Sequence, residues 1–203
     1  MTDRKSKEKR LEKVLEDVEN LHASPLYEYR IENNYLPVVG EGDADAGIMF
    51  VGEAPGEKEG QTGRPFCGRS GKLLDELLAS IDLPRESVYI TSVVKDRPPK
   101  NRDPKPAEIE IYAPFLDKQI EIIEPKVIAT LGRFGMEYIM KRYGLEDKLG
   151  PISKLHGQIF ETKIGDNNVK ILPLYHPAFA LYNSSYKHDL LEDFKILKEI
   201  IKN

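Results

Sequence analysis

Two loop sequences combine residue types that could bind a nucleic acid. The apolar run 48–51 leads into Gly-Glu-Ala-Pro-Gly at 52–56. The next loop, 63–72, joins glycines and the ring of Phe66 to the cations Arg64, Arg69 and Lys72. Glycines let backbone amides approach a ligand, and cations beside an aromatic ring suit phosphates and a stacked base. An ordinary strand-to-helix connection with Ser70 as its N-cap explains the second loop equally well.

A single histidine occupies a comparable position. His176 follows the apolar run 169–174 and precedes Pro177, which restricts the backbone. If this run is a parallel strand, His176 lies at the carboxyl edge of the sheet, where open α/β sheets bind ligands. An isolated histidine is more often structural than catalytic, so its position rather than its residue type makes it a candidate.

Four apolar runs alternate with helical patterns. The runs suit strands buried on both faces and lie at 48–51, 88–94, 127–131 and 169–174. The helical patterns lie at 71–81, 106–123, 134–143 and 189–201. The alternation predicts an α/β fold, a three-layer α/β/α sandwich around a central, mainly parallel four-stranded sheet. Segments 41–46 and 95–106 are predicted loops.

Residues 1–24 predict an N-terminal helix that docks onto this sandwich. One face of the pattern from Lys5 to Leu21 is apolar, with Leu11, Val14, Leu15, Val18 and Leu21 at helical spacing. The length of 203 residues suits one domain spanning 1–203.

Composition narrows the possible functions. A formal net charge of −4 excludes a uniformly basic coat, so contact with DNA requires a local cluster of cations. The only cysteine, Cys67, excludes an intramolecular disulfide and a thiolate cluster within the chain, and we expect no metal site. The polar start and the lack of ~20 consecutive apolar residues predict a protein that is neither exported nor embedded in a membrane. We expect a cytoplasmic monomer.

The motifs together resemble the family 4 enzymes of the uracil-DNA glycosylase superfamily. The matching segments, which extend the resemblance from about Pro25 to the end of the chain, are 52–59, 63–66, 68–69, 95–104, 125–128, 131–133 and 175–178. The resemblance implies a monofunctional DNA glycosylase, a hydrolase that acts on the N-glycosyl bond of a flipped uracil or other altered base and leaves an abasic site.

The resemblance also assigns residues to a base pocket. Phe66 stacks on the flipped base, as is usual for an extruded base. Gly52, Glu53 and Ala54 line the side of the scissile bond. Glu59 closes the pocket near carbon 5 of the pyrimidine.

The implied chemistry needs a hydrogen-bond donor and a water. His176 donates to the base oxygen as negative charge develops there, and a water polarised by Glu53 attacks the sugar. A lyase would need an amine that forms a Schiff base. Lys95 matches a family lysine that is not used in this way, so lyase activity is not expected.

Two basic loops and one apolar segment are predicted to contact DNA. The predicted phosphate contacts are Arg64, Arg69 and Lys72 in the loop 63–72 and Lys95, Arg97, Lys100 and Arg102 in a proline-stiffened loop. Binding through them should weaken strongly with salt, although a charge run is usually only a solvated surface. Segment 179–186 resembles a loop that wedges into the duplex. Ala180 occupies the usual leucine position, so Phe179 or Leu181 takes this role, or both anchor the loop in the core.

One departure from the family concerns its cofactor. The resemblance implies a four-iron cluster bound by four cysteines, and the corresponding positions are Leu21, Ser24, Asp96 and Tyr112. We therefore expect no cofactor. Packing of the N-terminal helix and polar contacts, such as a pairing of Asp96 with a neighbouring arginine, should replace the cluster as a structural link.

A second departure concerns the substrate. Ser92 stands where the family has an asparagine that reads the uracil edge, and a rotatable hydroxyl should weaken the discrimination against cytosine. Gly60 stands where the family commonly has Asp, which should enlarge the pocket near carbon 5. Three alternatives stay open: a uracil enzyme that tolerates serine, a glycosylase for a bulky modified cytosine such as glucosylated hydroxymethylcytosine in phage DNA that acts in antiviral defence, and an inactive DNA-binding relative.

Overall fold

The computed structural model describes residues 3–202. The strands are β1 (Glu41–Gly42), β2 (Ile48–Gly52), β3 (Tyr89–Ser92), β4 (Val127–Leu131), β5 (Phe160–Ile164) and β6 (Asn167–Leu174). The helices are α1 (Asp3–Glu19), α2 (Tyr27–Glu32), α3 (Glu57–Thr62), α4 (Arg69–Ser80), α5 (Pro106–Ile123), α6 (Arg133–Arg142), α7 (Ile152–Leu155), α8 (Pro177–Ala180) and α9 (Ser184–Lys202). Helix α5 has the predicted bounds, whereas α9 begins at Ser184 rather than 189.

Within the described residues the strands form one six-stranded sheet in the order β1-β3-β2-β4-β6-β5. The four predicted strands are its four central ones, and they run parallel. This confirms the predicted α/β class. Strands β1 and β5 are additional and pair antiparallel at the two edges. Strand β1 has only two residues, and β5 alternates between exposed and half-buried positions, so neither forms the continuous apolar run typical of a central strand.

The carboxyl ends of the parallel strands meet at one edge of the sheet. Gly52 of β2 is paired with Ser92 of β3, and Leu131 of β4 with Leu174 of β6. Because the connections to the next helices leave from this edge, the turn after β2, the segment after β3 and His176 after β6 lie close together.

Helices cover both faces of the sheet. On one face, Leu74 of α4 and Phe194 of α9 pack in the same cluster as Phe50 of β2. On the other face, α5 and α6 cover the sheet, and Ile139 of α6 packs with Met49 of β2. Each fully buried side chain of this kind contributes about 1.5–3 kcal/mol, so the edge that carries the loops rests on a well-packed support.

Helix α1 packs against α5. Val14 and Val18 are fully buried in a cluster with Tyr112 of α5. Leu15 is 38% exposed, which corrects its predicted place on the buried face. The buried stripe centres on Val14 and Val18, with Leu11 and Leu21 partly buried beside them, and Leu15 falls outside it. Among the described residues, no helix combines the length and apolarity needed to cross a membrane.

Candidate active site

The loops at the carboxyl edge enclose a cavity of about 530 Å³. Its walls come from the turn after β2, the end of β3, the segment 98–103 and the starts of α6 and α8. The predicted site residues that line it are Glu53, Ala54, Glu59, Phe66, Ser92, Arg102, His176 and Phe179. Residues that are far apart in the sequence are thus brought to one cavity.

Gly52, at the end of β2, leaves space for two side chains that line this cavity. A Cβ on Gly52 would lie 2.8 Å from the ring of Phe66 and 3.2 Å from Oγ of Ser92. The missing side chain therefore lets the ring and the hydroxyl approach each other. Gly52 acts here by its lack of a side chain.

Phe66 is held at a turn with an unusual backbone conformation. Its φ is +47°, in the left-handed region that residues other than glycine seldom adopt. The Oε1 atom of Glu59 accepts the backbone N–H groups of Cys67 and Gly68 at 2.9 and 2.8 Å. Glu59 therefore anchors the turn that presents Phe66, in addition to lining the cavity.

The imidazole of His176 caps α8. Its Nδ1 accepts the N–H of Ala178 at 3.1 Å, so the neutral ring carries its proton on Nε2. Burial lowers the pKa of His176 to about 4, and the charge of Glu59 offsets this only in part. The ring centroid lies 5.6 Å from that of Phe66. At neutral pH, His176 is an uncharged hydrogen-bond donor beside an aromatic surface.

Glu53 is a carboxyl group tuned to neutral pH. The pKa of Glu53 is raised to about 7, mainly by burial and also by the charge of Asp103, while the charge of Arg133 offsets part of the rise. Asp103 and Arg133 themselves form an ion pair at 3.3 Å. Sequence reasoning missed both, although each lies in a motif segment of the resemblance. A carboxyl with this pKa can hold or release a proton at neutral pH.

Ser92 and Gly60 differ in what they face. Ser92 is 4% exposed and lines the cavity, and within residues 3–202 its Oγ has no hydrogen-bond partner. Gly60 instead faces Tyr35: a Cβ there would lie 3.3 Å from the Tyr35 ring and 3.5 Å from Cβ of Arg97. This corrects the expectation that Gly60 enlarges the base pocket, because helix α3 turns it away from the cavity.

Three predicted phosphate contacts are paired with carboxylates. The pairs are Arg64–Glu41, Arg97–Glu57 and Arg102–Glu108. Arg64 is well exposed and can exchange its partner for a phosphate. Arg97 is only 8% exposed and donates to the hydroxyl of Tyr35, which corrects its predicted placement on the DNA surface. Its role in the structure is to fix the proline-rich loop.

Of the remaining predicted phosphate contacts, three are exposed and one is buried. Arg69, Lys72 and Lys100 are exposed, and in the described part of the chain none of the three has a carboxylate partner. Lys95 is fully buried and donates to three internal acceptors. This corrects its predicted contact with phosphate, because the backbone after β3 turns its side chain under the sheet edge.

The rim of the cavity carries exposed apolar side chains. Phe179 is 58% exposed and Leu181 36%, whereas Ala180 is buried. The exposure of Phe179 argues against a role as a core anchor. Tyr182, which the sequence reasoning missed, is 77% exposed, and Arg69 donates to its hydroxyl at 2.8 Å. The only signal for Tyr182 was an aromatic residue within segment 179–186.

The positions that correspond to cluster ligands hold a buried network of oxygen atoms. The hydroxyls of Ser24 and Tyr112 lie 2.6 Å apart, and Tyr112 donates to Asp96 at 2.5 Å. Arg30 lies 3.4 Å from Asp96 and is the arginine partner that the sequence analysis expected. Iron–sulfur clusters are held by thiolates, and these side chains, with the apolar Leu21, offer none. The residues do not fit a four-iron cluster, and hydrogen bonds connect the same segments.

A larger groove of about 1220 Å³ lies at the opposite edge of the sheet. It runs past the amino ends of β2, β4 and β6 and mixes lysines with carboxylates. Its lining includes none of the residues that the sequence analysis proposed for the site. Volume alone therefore does not identify the functional cavity.

The 530 Å³ cavity brings an aromatic ring, a histidine and two buried or half-buried polar side chains to one edge of the sheet. It offers a ring for stacking, a neutral donor and a carboxyl of matched pKa. A family model described as the uracil DNA glycosylase superfamily matches residues 39–197. The chain belongs to this superfamily, which confirms the resemblance in the sequence and the enzyme class, a hydrolase acting on N-glycosyl bonds.

Known members of the superfamily are similar over most of the chain. The type-4 uracil-DNA glycosylase of Sulfurisphaera tokodaii is 46% identical over 191 residues, 94% of this chain and 84% of that protein. The type-4 uracil-DNA glycosylase of Thermotoga maritima is 42% identical over 199 residues, 97% of each chain. A type-5 uracil-DNA glycosylase of Thermus thermophilus is 33% identical over 155 residues, 69% of this chain and 68% of that protein.

Proposed function

We propose that this protein is a monofunctional DNA glycosylase that flips uracil, or another altered base, out of DNA and hydrolyses its N-glycosidic bond. The names of its relatives support uracil as the substrate. The observation that carries the proposal is the capping bond from Ala178 to Nδ1 of His176, which leaves Nε2–H as an uncharged donor at the cavity.

The proposed chemistry starts from the departing base. As the bond between the sugar carbon and the base nitrogen breaks, the electron pair moves onto the base and charge accumulates on its oxygen. A preorganised donor that strengthens its hydrogen bond at this stage lowers the barrier. His176 supplies this donor while the base stacks on Phe66. Because its pKa is about 4, the ring is neutral, and it keeps its Nε2 proton because a neutral imidazole is a very weak acid.

Water completes the reaction. Its oxygen bonds to the sugar carbon, its proton passes to the carboxylate of Glu53, and the released base takes up a proton from solvent. Glu53 must be ionised to accept the proton, and with a pKa of about 7 it is ionised in about half of the molecules at neutral pH. The product is free base and DNA with an abasic site.

The DNA would contact the same edge of the sheet. Arg69, Lys72 and Lys100 are exposed cations without carboxylate partners among the described residues, and Arg64 can exchange Glu41 for a phosphate. Phe179 is proposed as the wedge that fills the gap left by the flipped base, with Leu181 beside it. Four such contacts would make binding strongly dependent on salt.

The remaining parts of the proposal concern setting and cofactor. We propose a cytoplasmic monomer, formed by one domain, that acts without a metal or cluster. Support for the last point comes from Ser24, Asp96 and Tyr112, which offer hydrogen-bonded oxygens where a cluster would need thiolates.

A second candidate substrate is a modified cytosine, such as glucosylated hydroxymethylcytosine in phage DNA. The observation in its favour is Ser92, whose free hydroxyl faces the cavity and can donate to the unprotonated N3 of cytosine. In that case the enzyme would serve antiviral defence rather than repair.

A substrate panel tests both candidates. Duplex and single-stranded DNA with one uracil, hypoxanthine or glucosylated hydroxymethylcytosine would be incubated with the protein, and abasic sites would be cleaved with alkali and counted. Release of uracil is expected. Release of glucosylated hydroxymethylcytosine alone would favour the second candidate. No release from any substrate, with DNA binding intact, would favour an inactive DNA-binding relative.

A further inference from the structure

Lys95 is a fully buried lysine that the proposed chemistry does not use. It is 0% exposed, and its Nζ donates to Oγ1 of Thr91 at 2.7 Å, to the carbonyl of Ser92 at 2.6 Å and to Oε1 of Gln119 at 2.6 Å. Within residues 3–202 no carboxylate pairs with it.

The side chains that contact Lys95 also donate hydrogen bonds to other groups. The hydroxyl of Thr91 donates to the carbonyl of Val39 at 2.6 Å. The amide of Gln119 donates to the same carbonyl at 2.9 Å and to the hydroxyl of Tyr89 at 3.1 Å. Burial lowers the pKa of Lys95 well below its usual value. As an ammonium, Lys95 donates to all three acceptors. As a neutral amine, it donates to Ser92 and Gln119 and accepts from the hydroxyl of Thr91, so the three contacts persist in either form.

The carbonyl of Ser92 would otherwise be unpaired. The N–H of Val93 donates to Gly52 of β2 at 3.0 Å, so the backbone groups of Ser92 point to the opposite side of β3. On that side β1 is paired only with Tyr89 and Ile90. Because a buried carbonyl without a donor is costly, Lys95 supplies the hydrogen bond that a longer β1 would have made.

The side chain of Ser92 points into the base cavity, while its carbonyl is held by Lys95. The next two residues, Val93 and Val94, donate to the carbonyls of Gly52 and Glu53, both at 3.0 Å. The buried side chain of Lys95 therefore fixes the backbone where Ser92 adjoins the turn after β2.

We propose that Lys95 is a positioning residue for base recognition, which holds Ser92 and the adjoining end of β2 in the orientation that the flipped base requires. This inference rests on the proposed function, because it assigns Ser92 to the base edge. A lysine that served only stability would lower the melting temperature without acting through Ser92.

A double-mutant cycle separates these two roles. Lys95→Met, Ser92→Ala and the double variant would be compared with the wild type by single-turnover release of uracil from DNA. We expect Lys95→Met to slow release about tenfold in the wild-type background and less than about threefold in the Ser92→Ala background. Tyr138→Phe is the matched control, because it removes a partly buried hydrogen bond of 2.7 Å between α6 and Asp117 of α5. The effect of Tyr138→Phe on release should be the same in both backgrounds.

Amide hydrogen exchange gives a measurement that does not depend on substrate. In a folded Lys95→Met protein, exchange at Val93 and Val94 should be accelerated at least about tenfold relative to the wild type, with α6 unchanged. Equal slowing in both backgrounds, or unchanged exchange at these two amides, would overturn the inference. An inactive wild type would refute the proposed function and with it the recognition role, whereas the exchange result would still show whether Lys95 holds the segment after β3 in place.

A second variant covers the case in which Lys95→Met does not fold. Thr91→Val has nearly the same shape, keeps Lys95 and removes one of its three acceptors. It should show the same pattern with a smaller change, and identical release and exchange to the wild type would count against the inference.

Discussion

Two segments leave the same edge of the sheet and differ in how they are held. The segment after β3 is tied inward, because Lys95, Asp96 and Arg97 are buried and each bonds to distant parts of the chain. The segment after β6 is open beyond His176, since Phe179 and Tyr182 are more than half exposed.

The difference assigns separate tasks to the two segments. A residue that reads a base must keep its orientation, and buried hydrogen bonds provide this because breaking one leaves an unpaired polar group. A residue that enters a duplex must be reachable and free to adjust. His176 lies where the tasks meet: its ring is fixed by a helix cap at the start of the open segment.

The largest expected effect is at this junction. His176→Ala should slow base release about 10²- to 10³-fold, the usual result of removing a donor to a developing anion. DNA binding should stay within about twofold, because the ring does not contact the backbone of DNA in the proposed complex. Single-turnover kinetics and a binding titration would measure both quantities. If wild type and variant release no base and bind DNA equally, the protein is a binding module.

The buried hydrogen bonds of the segment after β3 should contribute to the stability of the fold. Tyr112→Phe removes the hydroxyl that bonds to Ser24 and to the carboxyl of Asp96. We expect a loss of about 1.5–3 kcal/mol in the free energy of unfolding, since one partner is charged. Urea unfolding would measure it, and the activity per folded molecule should not change. A loss below the experimental error would show that the oxygen network is not the structural link between these segments.

The open segment should show the opposite pattern. Phe179→Ala should leave stability unchanged and slow release from duplex DNA about tenfold, because a lost stacking contact costs about 1–3 kcal/mol. Release from single-stranded DNA should change little, as no duplex gap has to be filled. Ile31→Ala is the matched control, because it removes an apolar side chain of similar exposure on α2, outside the cavity, and it should leave release from both substrates unchanged. Equal slowing on both substrates would argue against a wedge and for a direct role at the base.

The pH dependence should identify Glu53. With a pKa of about 7, its carboxyl is about one-tenth ionised at pH 6, so release should be about tenfold slower there than on the plateau above pH 8. His176, with a pKa of about 4, contributes no step in this range. Glu53→Gln should abolish the step and lower the plateau. A step that persists in Glu53→Gln would assign it to another group.

The raised pKa of Glu53 should make release faster as the pH rises, but it should make the folded protein less stable. Folding raises the pKa of Glu53 from 4.5 to about 7, so the folded state holds a proton that the unfolded chain has lost. The stabilisation from this group is complete below about pH 4.5 and is lost as the pH rises through 7. Glu53→Gln should reduce this decline in melting temperature between pH 5 and pH 8.

Local patterns predicted the central strands, the main helices and the placement of Gly52 and His176 at one edge. Four apolar runs of strand length separated by helical periodicity leave few topologies open, since parallel connections are right-handed. The order of the motifs likewise indicated Phe66, Ser92 and His176 as members of one site. Edge strands β1 and β5 escaped prediction because neither has a continuous apolar run.

The sequence by itself determined the family, the four central strands and the chemical types of the site residues, because these depend on periodicity and on short motifs. Only the tertiary structure decided that the side chain of Lys95 is buried, that Gly60 faces Tyr35 and that Arg97 is paired with Glu57. Each of these depends on partners far away in the sequence, and a charge that looks solvated in a loop can be buried when distant segments supply its acceptors.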